Sequence, residues 1–114
     1  MSLIRSFTGK SAANTAKTHT ITKPVASTNV SRDILIHSLT VSTSGGDIAA
    51  DCTIAVNDNG TSVWEVELRN AKIYGGHFDF SSCPIPIRDG NCTIVTDAAG
   101  ANVIVTVSAI YELV

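Results

Sequence analysis

Apolar and polar side chains alternate with a period of two through most of the chain. Cys52, Ile54 and Val56 are set against Thr53, Ala55 and Asn57. Trp64, Val66 and Leu68 are set against Glu65 and Glu67, and Phe78 and Phe80 against His77 and Asp79. Near the end, Val103, Val105, Val107 and Tyr111 share one phase while Ile104 and Ile110 take the other. Successive side chains of a strand point to opposite faces, so this spacing predicts half-buried β-strands. Between the runs lie Gly45-Gly46-Asp47, Asp58-Asn59-Gly60, Tyr74-Gly75-Gly76, Asp89-Gly90 and Ala98-Ala99-Gly100-Ala101, whose residues tolerate the backbone angles of tight turns. Seven or eight strands at this spacing predict an all-β, antiparallel sandwich.

Three stretches depart from simple alternation. From Arg32 to Thr43, Ile34 and Ile36 occupy one phase but Leu39 and Val41 the other, which predicts a bulge near His37-Ser38 or burial on both faces. Thr18 to Thr22 reads as a short strand stopped by Pro24, which cannot donate to a central ladder. Cys83-Pro84-Ile85-Pro86-Ile87 reads as an extended edge or crossover for the same reason. Ahead of these, residues 1–17 hold Leu3, Ile4 and Phe7 and then a polar run, so they are expected to form an extended N-terminal arm with one short strand, leaving 18–114 as the sandwich domain. The tripeptide Gly9-Lys10-Ser11 is no phosphate loop, because the motif needs a second glycine where Ile4 stands.

Composition strengthens the strand reading. Thirty-six of the 114 residues are valine, isoleucine or threonine, against five leucines and three glutamates, and branching at Cβ suits a pleated sheet better than a helix. At this length one core is expected. Only 16% of residues are charged, against roughly 25% in an average soluble domain, and the net charge of -2 comes without any run of one sign. Neither nucleic acid nor an anionic membrane surface is therefore expected as a partner. No apolar run reaches the roughly 20 residues that span a bilayer, and the N-terminus lacks the pattern of a secretory signal, so synthesis in the cytosol is expected. The odd cysteine count predicts free thiols, Cys52 and Cys92 acting as small core residues. A bridge between Cys83 and Cys92 across a turn stays open as an alternative.

Reactive constellations are sparse. His19, His37 and His77 fall on three different strands, which is not the close ligand spacing of a zinc site. Asp58-Asn59-Gly60 has only the beginning of a calcium loop. Glu65 and Glu67 could be neighbours on one strand face, as a hydrolase would require, but their alternation with Trp64, Val66 and Leu68 already accounts for them as a solvated outer face. That same phase places Trp64 in the core. No cofactor, metal or enzymatic activity is expected. Apolar residues on the outer phase, Ile104 and Ile110 above all, instead call for a second partner, most simply another copy of the chain.

The order of these elements carries a resemblance. The run Thr20-Ile21-Thr22-Lys23-Pro24, then Arg32 to Ser42, then Ile54-Ala55-Val56 through Asp58-Asn59-Gly60 to Val63-Trp64-Glu65-Val66-Glu67-Leu68, resembles small jelly-roll β-sandwich virion proteins of tailed bacteriophages. The second half agrees, with Phe78-Asp79-Phe80, Pro84-Ile85, Asp89-Gly90, Ala99 to Val103, Val105-Thr106-Val107 and Tyr111. The likeness runs from about residue 18 to the end and rests on turns and β-branched residues. It implies a capsid decoration or cement protein that works by buried area. Such a protein would reside in the virion after synthesis in the host cytoplasm. Its expected partners are itself, as a homo-oligomer with a trimer as the first expectation, and a major capsid protein or other virion protein. Leu3, Ile4, Arg5 and Phe7 in the arm, with Ile104 and Ile110, are the expected contact residues. The same fold would also serve a receptor- or glycan-binding fibre tip, for which Tyr74 beside Gly75-Gly76 is the stacking candidate. A small hydrolase using Glu65 and Glu67 is the third reading.

Overall fold

The computed structural model describes residues 3–22, 33–49, 51–68 and 74–114. Among them are nine strands and no helix: β1 (Leu3–Lys10), β2 (Lys17–Ile21), β3 (Ile34–Ser44), β4 (Cys52–Asp58), β5 (Thr61–Leu68), β6 (Gly75–Asp79), β7 (Ile85–Ile87), β8 (Cys92–Thr96) and β9 (Ile104–Leu113). The first strand pairs with the last, β2 with β8, β3 with β6 and β7, and β4 with β5, all antiparallel. The chain is thus one long hairpin with its tip between β4 and β5. That hairpin wraps into two sheets, of order β1-β9-β3-β6 with β7 also on β3, and β2-β8-β4-β5. This is the jelly-roll sandwich expected from the sequence. Pro24 and Arg32, the expected stop of β2 and start of β3, lie outside the described residues.

Local chemistry fixes the tip. Asn59 and Gly60 both have positive φ, 51° and 87°, the two-residue turn whose twist matches the strands on either side. The β4–β5 register shifts between Val56 and Asn57, leaving Val63 outside the pairing and 44% exposed. The expected bulge in β3 is present: its register with β9 slips between Ile36 and Ser38. That slip lets Ile34, Ile36, Leu39 and Val41 all reach the interior, each with no exposed surface.

The interior is aliphatic. Ile54, Val56 and Ile94 of one sheet meet Val105, Val107 and Ala109 of the other, all buried. Cys52 and Cys92 are buried free thiols and Cys83 is an exposed one, so no bridge joins Cys83 to Cys92. Burial pushes the Cys92 thiol up to about 12 and the Cys52 thiol upward as well. Both behave as small core groups. Aromatic rings plug the sides. Trp64, half-buried on β5, stands edge-on to Phe78 and Phe80 at 5.0 and 5.4 Å between centroids, joining the two sheets along one side. Phe7 on β1 meets His19 on β2 at 5.7 Å on the other side. Gly9 makes room for that contact, since a Cβ there would lie 2.6 Å from His19 Nδ1.

The N-terminal segment, expected to be an arm with one short strand, carries the eight-residue strand β1 within the sandwich. All eight residues of β1 pair with β9, from Leu3 opposite Leu113 to Lys10 opposite Thr106. Ser11 then closes the pair: its N–H donates to the Val105 carbonyl at 2.9 Å, and its Oγ accepts from the Val105 N–H at 3.0 Å. The loops at that end interlock, with Gly45 at φ 88° so close to Asn102 that a Cβ would strike its carbonyl oxygen. At the opposite end, Asp58 is buried and accepts from the N–H groups of Arg88 and Asp89, each at 3.1 Å. That carboxylate fastens the hairpin tip to the loop leading into β8.

Candidate interaction surface

The outer face of the β1-β9-β3-β6 sheet can be read residue by residue from its register. Row by row across β1, β9, β3 and β6 it reads Lys10, Thr106, Ser42, Gly75, then Thr8, Ser108, Thr40, His77, then Ser6, Ile110, Ser38, Asp79. Hydroxyls dominate, and they bond to their neighbours on the face: Thr8 Oγ1 and Ser108 Oγ are 2.8 Å apart, as are Thr40 Oγ1 and the ring nitrogen His77 Nδ1.

Two of the expected contact residues rise together from this face. Ile110 is 47% exposed and Ile4 is 64% exposed; Ile4 sits opposite Glu112, two residues along β9, so the two isoleucines are diagonal neighbours across the strand pair. Beside them His37 Nε2 and Glu112 Oε1 lie 2.9 Å apart in a half-buried hydrogen bond. Ile104 belongs to the same face but to its far end, opposite Ser44, and is half-buried. Arg5 is exposed on the open margin of β1. Phe7 turns between the sheets against His19 and the core, so it is engaged within its own chain. Leu3 pairs with Leu113 through its backbone, and its side chain lies outside the described residues.

The residues of the rival readings are placed as follows. Tyr74 is half-buried against the core with its hydroxyl over Gly76, and its backbone is tied to Thr43 by three bonds, including Tyr74 N–H to Thr43 Oγ1 at 2.7 Å. Glu65 and Glu67 are exposed on the outer side of β5. Among the described residues no three His, Cys, Asp or Glu side chains come together as a metal site would require.

His19 is the buried polar group that the sequence left as a lone strand histidine. It is 5% exposed, and its Nε2 has no hydrogen-bond partner among the described residues. Burial pushes the imidazole below its ordinary 6.5, and Lys17 adds to the shift. The folded chain therefore holds His19 neutral, whereas the unfolded chain takes up a proton as the pH falls through 6.5. Stability is full above that value and declines below it. Thermal melts from pH 7.5 to 5.5 should show the decline in the wild type and a flatter profile in His19→Leu; parallel profiles would contradict this assignment.

No protein-family model matches the chain, and no curated protein matches it. Solved structures do. A subunit of the Bacillus endospore appendages, described as disulfide-linked pili, is 14% identical over 99% of this chain and 88% of its own, with a TM-score of 0.48. The extra small virus particle of the giant freshwater prawn Macrobrachium rosenbergii supplies another likeness, 12% identical over 97% of this chain and 79% of that one, at 0.40. The coat protein of Tobacco streak virus is also 12% identical, over 97% of this chain and 86% of its own, at 0.40. Identities and scores this low carry no argument about function.

Proposed function

We propose that the chain is a structural component of a virion, a capsid decoration or cement protein that acts as a homo-oligomer, a trimer being the first expectation, and holds the shell through contact with a major capsid protein. The observation that carries this reading is the exposed pair Ile4 and Ile110 on an outer face whose other residues are mostly polar, serine and threonine above all. Four strands about 4.8 Å apart and eight residues long give a face of roughly 500 Å². A stable pairwise interface buries about 800 Å² per partner, so one copy binds weakly. Several copies linked together bind through their combined contacts. That arithmetic favours adhesion by an oligomer over capture of a single ligand.

Density-banded particles from a culture that produces the protein should contain it as a stoichiometric component. Its absence from them would overturn the reading. Ile110→Lys and Ile4→Lys, each placing a charge on an already exposed position, should leave the melting temperature within a few degrees of the wild type and lower particle occupancy about tenfold or more, since losing one well-packed apolar contact costs on the order of 1.5 kcal/mol.

A further inference from the structure

A sheet that does not close on itself ends in strands with unpaired backbone groups, and proteins blunt such strands by shortness, proline, bulges or charge. The edges of this sandwich are blunted unequally. β2 and β6 are five residues long, and Pro86 interrupts β7, which continues the β6 edge along β3. β5 has eight residues, but its register with β4 shifts and leaves Val63 as a bulge. β1 also has eight residues, with no proline and no register shift against β9.

The hydrogen-bond phase shows which groups of β1 are open. The Ser11 N–H donates to the Val105 carbonyl, and on the other side of β9 Asp33 and Val114 exchange both backbone bonds. Bonds along an antiparallel strand alternate in side. Arg5, Phe7 and Gly9 therefore bond to β9, while Ile4, Ser6, Thr8 and Lys10 turn their N–H and C=O groups away from it. Among the described residues those outward groups have no partner. The side chains of the same four residues are exposed.

Building on the self-association in the proposed function, we infer that two copies of this chain join β1 to β1, antiparallel about a two-fold axis at Phe7. An open residue must meet an open residue, and of the registers that obey this, the one centred on Phe7 uses all four. It sets Ile4 against Lys10 of the second copy, and Ser6 against Thr8. Between them Phe7 faces its own counterpart, and Arg5 faces Gly9, which has no side chain. No facing pair carries like charges, so the two cations of this edge do not oppose its pairing with itself. The two outer faces then run into one, with an exposed Ile4 and Ile110 in each half, and offer the shell about twice the area of a single copy. Such a contact is isologous. It pairs chains or joins larger oligomers, and is distinct from the contact that would build a trimer.

Sedimentation velocity and amide exchange by NMR on the wild-type chain test this. In the dilute monomer the Ser6 and Thr8 amides should exchange quickly and the Phe7 amide slowly. Concentrating the protein should give a dimer in which Ser6 and Thr8 slow about tenfold or more. Ser6→Pro removes a donor that points away from β9, so the internal ladder stays whole. It should raise the dimer dissociation constant about tenfold, because each copy loses one bond across the contact. Ser6→Ala should dimerise like the wild type. Circular dichroism melts establish whether Ser6→Pro is folded, and the wild-type exchange pattern decides the question if it is not. Self-association with Ser6 and Thr8 exchanging as in the monomer, or a folded Ser6→Pro assembling at the wild-type concentration, would overturn pairing through β1 and leave self-association standing. Ser6 and Thr8 amides already slow in the monomer would overturn it too, since the edge would be covered within the chain. A wild type that stays monomeric at every concentration would remove self-association itself.

Discussion

Removing residues 1–10 should abolish cooperative folding. The lost segment is β1, which covers β9 along its whole length. β9 carries Val105, Val107, Ala109 and Leu113 inward, all buried, and would pass from the interior of a sheet to its edge. Phe7 would leave His19 and the core it packs against. A fully buried phenylalanine contributes about 1.5–3 kcal/mol and a half-buried one less, but the cost does not stop there. Ser11 would lose the strand that aims its hydroxyl at the Val105 N–H, and a buried donor left without a partner costs about 1–3 kcal/mol. Together these approach the total stability of a small domain, about 5–15 kcal/mol. The truncated chain should melt without a sharp transition or be recovered as aggregate. A wild-type melt from it would mean that the segment is a dispensable arm, whose business lies wholly with a partner.

Replacing Asp58 by alanine should cost about 2–4 kcal/mol, because the carboxylate is the acceptor for two backbone donors at once. Its Oδ atoms take the N–H groups of Arg88 and Asp89 at 3.1 Å each, at a site where Asp58 is 9% exposed. Without them the loop before β8 loses its attachment to the β4–β5 tip, and Asn59, whose N–H reaches the Asn91 carbonyl at 3.2 Å, becomes the nearest remaining tie. Asp58→Asn keeps one carbonyl oxygen and should recover about half of the loss. Urea unfolding would measure both, a lowered midpoint at unchanged slope being the expected form. A loss below about 0.5 kcal/mol for Asp58→Ala would show that solvent reaches those two donors.

The features legible in the sequence are those written in neighbouring residues. Alternation gave the strands. Asp58-Asn59-Gly60 marked the tip of the hairpin, and the phase change between Ile36 and Leu39 marked the bulge now seen between Ile36 and Ser38. What joins distant residues was not legible. Nothing local in the first ten residues says that a segment holding Leu3, Ile4 and Phe7 among polar residues pairs fully with the last strand, because its apolar support comes from β9 and His19. The diagonal adjacency of Ile4 and Ile110 likewise needs the β1–β9 register, which also separates Ile104 from them.

The nested pairing has a consequence for synthesis. Leu3 meets Leu113, so the strands made first wait on the strand made last, and non-local pairing of this kind folds slowly. While the ribosome is still adding β8, β1 has no neighbour within its sheet. A copy cut short by early termination therefore lacks the strand between β1 and β3 and cannot complete that sheet.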